Sequence, residues 1–411
     1  MSTSPLLTGL PERLPELRTL YEDVHAHPEL SFQEVRTAAL VAERLRAQGW
    51  QVTEGVGGTG VVGVLANGDG PVVLLRADMD ALPVTERTGL PYASTHDGVM
   101  HACGHDMHVA WLLGATGQLA AVRDGWRGTV VAVFQPAEEV GGSPKMIADG
   151  FADRFPRPDV CLAQHVAGAP AGLVGTRAGA LMAGADSLRV TLFGRGGHGS
   201  TPEATVDPVV LAAAVVLRLQ TVVSREVAAG QQAVVTVGSI HGGTKDNIIP
   251  DSVELKINIR STTTAVRERV LAAVERIVRA EAAASAAPRE PEIVPVDSFP
   301  VTHNDPEATE AVQTALAAEF PGLTFELTSP VPNSEDFGAF GTALGAPSVF
   351  WFVGGTDPAL YADVDLEALV RDGIPPEIPS NHSPHFAPVP DPTIETGVRA
   401  LLAAAAHWLA T

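Results

Sequence analysis

A two-domain α/β protein, with a mixed, mostly parallel sheet flanked by helices and an inserted ferredoxin-like α+β domain, is what this sequence predicts. Three observations predict it. The 411 residues exceed the roughly 250–300 at which a single hydrophobic core stops growing. Strand-like and helix-like stretches alternate in both flanking portions, as layered α/β sheets require. Between them, around residues 184–298, the order becomes β-α-β-β-α-β, which can close into a small sheet with both helices on one face. The expected limits are 1–184 with 299–411 for the main domain and 185–298 for the insert.

From Pro15 to Gln48 apolar residues recur at helical spacing (Leu17, Leu20, Tyr21, Val24, then Ala38, Leu40, Val41, Leu45). The His27-Pro28 step breaks the pattern, so two helices are expected. Glycine-separated β-rich runs follow at Gly60 to Leu65, Val72 to Arg76 and Thr129 to Gln135, with a helix from Val109 to Val122 between the last two. In the insert the strands are Ser187 to Phe193, Ala233 to Ile240, Val253 to Ser261 and Glu292 to Pro295. Its helices are Pro208 to Thr221 and Ala265 to Ala284. Beyond Pro300 the pattern resumes with helix Asp305 to Glu319, strand Ser348 to Val353 and a last helix from Thr393 to Trp408. The acidic, proline-rich stretch Ala359 to Ser380 reads as a loop.

Composition narrows the function. With 27 basic against 48 acidic residues the formal charge is −21, which repels a phosphate backbone or an anionic membrane. Only 5% of residues are aromatic and no basic cluster stands beside them, so a nucleic-acid partner is not expected. Two cysteines, Cys103 and Cys161, cannot staple a chain this long, which points to a reducing cytoplasm. The N-terminal residues lack a basic segment followed by an apolar one, and no uncharged apolar run reaches the roughly 18–20 residues a membrane span needs.

Chemistry concentrates in a few segments. HACGHDMH packs His101, Cys103, His105, Asp106 and His108 into eight residues before a helix. Thiolate with imidazole suits a zinc-like cation. The bland alternative is a polar helix start with a buried, inert cysteine. FQPAEEVGG sets Glu138 and Glu139 just past a strand end, where open α/β sheets keep their sites. Adjacent acids there point different ways, so one can bind metal while the other takes a proton from water; a solvated acidic turn is the alternative. His165 follows another apolar strand, Val160 to Ala163, and NHSPHF offers His382 and His385. RADMDALP places Asp78 and Asp80 at a strand tip, positions suited either to orienting an imidazole or to capping the next turn.

Taken in order, RADMDALP, MHACGHDMH, QPAEE, His165, GGHGS and NHSPHF resemble the metal-dependent amidohydrolases of the aminoacylase and carboxypeptidase superfamily. Within it they resemble the subfamily of hippurate hydrolases, indole-acetyl-amino-acid hydrolases and N-acyl-amino-acid aminoacylases. The likeness spans essentially the whole chain. It implies a catalytic domain holding two divalent metal ions, zinc or manganese, and a lid domain that also serves dimerisation. The implied ligands are Cys103, His105, Glu139, His165 and His385, with Glu138 as general base and Asp80 in an orienting role. Where the wider superfamily has a ligand histidine this chain has Asp78, which stays outside the implied set. From the lid, His198 in GRGGHGSTPE would stabilise the oxyanion, often in the partner subunit, while Asn247 and Arg260 would hold the substrate carboxylate. Glu203 stands where the family commonly has a second histidine after Pro202. The implied reaction is hydrolysis of N-acyl or N-aroyl L-amino acids in a homodimer or higher homo-oligomer. The competing readings are a dipeptidase or carboxypeptidase on the same scaffold and a non-catalytic metal-binding descendant; retention of Glu138 argues against the latter.

Overall fold

The computed structural model describes residues 5–365, 369 and 373–409. Two compact units emerge: Met1–Leu181 with His303–Ser329 and Asp336–Thr411, and Met182–Thr302 with Pro330–Glu335. The insert therefore begins at Met182 rather than 185 and runs to Thr302. It also recruits Pro330–Glu335, a short aperiodic segment with no pattern to reveal where it belongs.

The first unit is built on an eight-stranded sheet in the order Gln51–Val56, Gly60–Asn67, Gly128–Gln135, Val72–Asp78, Val160–Pro170, Ser348–Thr356, Val174–Thr176, Thr324–Glu326. Its four central strands, Gly128–Gln135 through Ser348–Thr356, run parallel; three antiparallel pairings lie toward the edges. The central strands are buried on both faces, so they read as continuous apolar runs. Parallel register sets Asp78 opposite Gln135 and Arg76 opposite Ala163, which brings the C-terminal ends of neighbouring strands level. Helices Leu14–Ala26, Val35–Ala47, His105–Ala121, Pro306–Glu319 and Pro390–Leu409 contribute to one hydrophobic core with these strands. The His105–Ala121 helix starts four residues before the expected Val109. Buried on nearly every side, it carries no polar face to mark its start, and Gly104, at φ 83, supplies the left-handed turn that leads in. Near its middle, Trp111 donates its indole N–H to the Thr393 carbonyl at 2.8 Å, and a β-carbon on Gly397 would come within 2.1 Å of that ring.

The second unit has a four-stranded antiparallel sheet in the order Ala233–Gly242, Ser252–Ser261, Gly184–Phe193, Glu292–Phe299. Helices Pro208–Glu226 and Thr264–Ala284 pack together and on the sheet, with Val190, Leu255, Ile257, Leu211, Val215, Val270 and Val274 in their shared core. Asp207 caps the first helix through the Val209 and Val210 N–H groups, and Thr263 caps the second through Val266. Pro208–Glu226 is long and apolar enough to cross a membrane, with mean hydropathy 1.5; its Leu211, Val215, Leu219 and Val222 face this unit's core instead.

Within the stretch Ala359 to Ser380 expected as a loop, Pro358–Tyr361 forms a 3-10 turn, and Tyr361, Leu369 and Ile378 share a small apolar cluster. Residues 366–368 and 370–372 of that stretch lie outside the described residues.

Candidate metal centre and catalytic turn

At the C-terminal ends of the central strands, Cys103, His105 and His165 bring their donor atoms within 4.8 Å of one another, as do Cys103, Glu139 and His382, and His105, Glu138 and Glu139. The thiol is thus shared by two donor groups. The local fold explains the convergence: Cys103 and His105 flank the Gly104 turn, His165 stands in the Val160–Pro170 strand, and the two glutamates follow Gly128–Gln135. His165 Nδ1 donates to the Val166 carbonyl at 2.7 Å, which leaves Nε2 free to face Cys103 Sγ at 3.6 Å. His105 Nδ1 donates to Asp80 at 3.2 Å, and its Nε2 is buried without a hydrogen-bond partner.

Asp80, almost wholly buried, does more than orient His105. Its two oxygens also accept the backbone N–H groups of Glu138 at 2.9 Å and Glu139 at 3.2 Å, and the Ser31 hydroxyl at 2.7 Å. The turn that carries both glutamates is tightly wound. Ala137 lies in the left-handed region at φ 55, ψ 41, a conformation costing a non-glycine residue about 1–2 kcal/mol. Gly142 closes the turn where a β-carbon would sit 1.8 Å from the Pro136 carbonyl oxygen.

Beneath this layer is a buried charge network. Arg76, its side chain fully buried, donates to Asp78 at 2.6 Å, to Gln135 at 2.9 Å and to Asp336 at 3.2 Å. The other Asp78 oxygen accepts from His108 Nδ1 at 2.5 Å, and His108 Nε2 accepts the Val166 N–H at 2.8 Å. Burial works against ionisation of Asp78, but Arg76 and His105 outweigh it and hold its carboxyl well below the usual range. Asp78 is thereby committed to Arg76 and His108, although His105 Nε2 is only 3.8 Å away. Through Val166, His108 supports the carbonyl that fixes the His165 tautomer.

The C-terminal histidines are placed differently from the expectation. Both are exposed; His382 Nε2 lies 3.2 Å from Glu139 and shares its donor group with Cys103, whereas His385 bonds the Arg87 carbonyl through Nδ1 at 2.9 Å. Among the described residues it is His382, and not the expected His385, that the structure brings together with Cys103 and Glu139. Spacing could not separate the two, because the turn between them depends on a left-handed His382 at φ 70 and on Asn381, which donates to the Cys103 and Val166 carbonyls at 3.0 and 3.1 Å. In the insert, His198 and Ile248 pair across a two-residue ladder, and the Asn247 carbonyl accepts the Gly199 N–H at 2.9 Å. His198 and Asn247 are consequently neighbours, both exposed. Arg260 lies on the Ser252–Ser261 strand, where it is half-buried and bonded to Asn258 at 3.0 Å and Ser334 at 2.9 Å.

These residues fit divalent cations. The donor set is one thiol, imidazoles and carboxylates, the chemistry that zinc and manganese take. The orphaned Nε2 of His105, in a fully buried ring, is a lone pair without its acceptor role filled. The chain matches Peptidase family M20/M25/M40 over residues 74–375. It belongs to this family. Among curated M20 relatives, it is 40% identical over 337 residues to thermostable carboxypeptidase 2 of Saccharolobus solfataricus, covering 80% of this chain and 84% of that protein. It is 38% identical over 328 residues to the hippurate hydrolase of Campylobacter jejuni, covering 79% and 85%. A solved dinuclear metal-binding M20 peptidase from Bacillus subtilis superposes with a TM-score of 0.76 at 28% identity, covering 96% of this chain and 98% of that one.

Sequence reasoning overlooked one buried cluster beside the start of the His105–Ala121 helix. His25 donates to Asp106 at 2.6 Å and contacts Glu86 at 3.2 Å, with Tyr21 and Tyr92 packed on its ring. Burial disfavours its charge, but Asp106 and Glu86 outweigh it and raise its pKa to about 9. A folded-state pKa above the unfolded value of about 6.5 means that the contribution is complete below pH 6.5 and is lost as pH rises through 9. The loss amounts to something on the order of 3 kcal/mol. All five tryptophans lie in the first unit, so their fluorescence reports its unfolding. Urea midpoints followed in this way should fall between pH 6.5 and 9 for the wild type and stay flatter for His25→Gln. Equal slopes in the two proteins would show that the ion pair contributes nothing.

Proposed function

We propose that this member of the M20 family hydrolyses the amide bond of N-acyl or N-aroyl L-amino acids, releasing a carboxylic acid and the free amino acid. The observation that carries the reading is the convergence of Cys103, His105, Glu139, His165 and His382 in two donor groups that share one thiol, with Glu138 on the adjoining turn position. In this reading those five residues hold two divalent cations, zinc or manganese. Such ions, when bound, supply a Lewis acid for the scissile carbonyl and lower the pKa of water. Glu138 removes the proton from the attacking water and delivers it to the departing nitrogen. Asp80 keeps the His105 ring and the Glu138–Glu139 backbone in place. Arg260 and Asn247 hold the substrate carboxylate, and His198 stabilises the oxyanion across a homodimer. The cytoplasm is the proposed compartment, in keeping with two free, buried cysteines.

Relatives named for hippurate, for indole-acetyl-amino acids and for N-acetylcysteine support the substrate class. The relatives named carboxypeptidase favour a peptidase as the second reading. A panel of N-acetyl, N-benzoyl and long-chain N-acyl amino acids and free dipeptides, offered to metal-stripped and metal-restored protein, separates them. The expected result is metal-dependent release of amino acid from the acylated compounds. Cleavage of dipeptides alone would transfer the assignment to a peptidase, and silence throughout would favour a non-catalytic metal binder.

A further inference from the structure

We infer that Glu34 is a positioning residue for catalysis: its buried carboxylate locks Ala137 in the left-handed conformation that presents Glu138 and Glu139 to one site. The inference rests on the proposed roles of Glu138 as base and Glu139 as ligand.

Glu34 occupies the N-cap position of the Val35–Ala47 helix yet makes no capping bond to it. That task falls to Glu29, whose two oxygens accept the Arg36 and Thr37 N–H groups at 2.9 and 2.8 Å. The Glu34 carboxylate is directed away from its own helix, wholly shielded from solvent. One oxygen accepts the Ala137 N–H at 2.8 Å and the Phe32 N–H at 3.0 Å, and the other accepts the Thr59 hydroxyl. Three consecutive backbone N–H groups, at 137, 138 and 139, therefore each end on a buried carboxylate oxygen, the first on Glu34 and the next two on Asp80.

The geometry at Ala137 makes the first of these bonds consequential. Ala137 is one of four non-glycine residues with positive φ among the described residues, and it immediately precedes the proposed base. Released from its N–H acceptor, an alanine reverts toward the right-handed or extended region, which turns the 137–138 peptide and redirects the Glu138 side chain. The loop that bears Glu34 also bears Ser31, whose hydroxyl supports Asp80 at 2.7 Å. A single loop thus supports both carboxylates that grip the turn.

Four variants test the assignment: Glu34→Ala, Glu34→Gln, Ala137→Gly, and Glu34→Ala combined with Ala137→Gly. Glutamine keeps an acceptor oxygen for Ala137 and should stay within about threefold of wild-type kcat. Alanine at 34 should lower kcat about 100-fold with KM little changed. It should also weaken zinc affinity of the stripped protein about tenfold in a chelator competition, because Glu139 shifts with the turn. Glycine at 137 adopts the left-handed conformation without strain, so the double variant should recover at least about tenfold of the lost kcat although the cavity left by Glu34 remains. Wild-type kcat and zinc affinity in Glu34→Ala would overturn the inference, as would a loss that Ala137→Gly fails to recover. Glu138→Ala, run alongside, isolates the underlying reading: if it stays active, the base assignment fails, and if it is inactive while Glu34→Ala is normal, only the positioning role fails.

Discussion

Glu138→Ala is expected to lose about 3 kcal/mol or more of transition-state stabilisation, a fall in kcat of at least about 100-fold, while retaining its metal ions. The asymmetry follows from the turn. Glu138 is 5% exposed; it lies near His105 and Glu139 but shares neither of the two groups built on the Cys103 thiol. Removing it deletes a proton acceptor without removing any of the five proposed ligands. Metal content by mass spectrometry and kcat at saturating substrate check both halves. Turnover near wild type would sink the mechanism, and joint loss of metal and activity would recast Glu138 as a ligand.

Paired substitutions at the C-terminal histidines give the second large effect. His382→Ala should weaken metal binding by more than about 100-fold and abolish turnover, because it removes a donor that shares one group with Cys103 and Glu139 and not merely an outer support. His385→Ala should leave metal affinity essentially unchanged, since that ring stands in none of the donor groups and bonds only the Arg87 carbonyl among the described contacts. Metal affinity measured on the two stripped variants decides between them, and the reverse ranking would restore His385 to the ligand set.

Much of the fold was legible because apolar periodicity follows burial. Both N-terminal helices, three of the four parallel central strands and the elements of the insert stand within a few residues of the expected limits. The Gln51–Val56 strand escaped notice because it lies at the sheet edge, mostly exposed, with Glu54 and Gly55 interrupting its apolar alternation. Val160–Pro170 was foreseen only to Ala163, since its later Ala-Gly-Ala-Pro reads as loop although the neighbouring Ser348–Thr356 strand pairs with it to the end. In the site, residue types marked out Cys103, His105, Glu138 and Glu139, because clustered donors are rare in an apolar setting. Glu34, Arg76 and His25 carried no comparable signal. Arg76 is one charge after an apolar run, Glu34 and His25 stand among other polar residues, and only three-dimensional proximity reveals what each holds.

The five proposed ligands and Glu138 all belong to the first unit, although the insert interrupts that unit between Leu181 and His303. With Arg260 and Asn247 in their proposed substrate roles, the groups that generate the nucleophile and those that choose the substrate occupy separate modules of one polypeptide. Drift in the insert can then alter preference without retuning the chemistry. On that proposed division, relatives of nearly equal identity could bear names as different as carboxypeptidase and hippurate hydrolase while keeping one reaction centre.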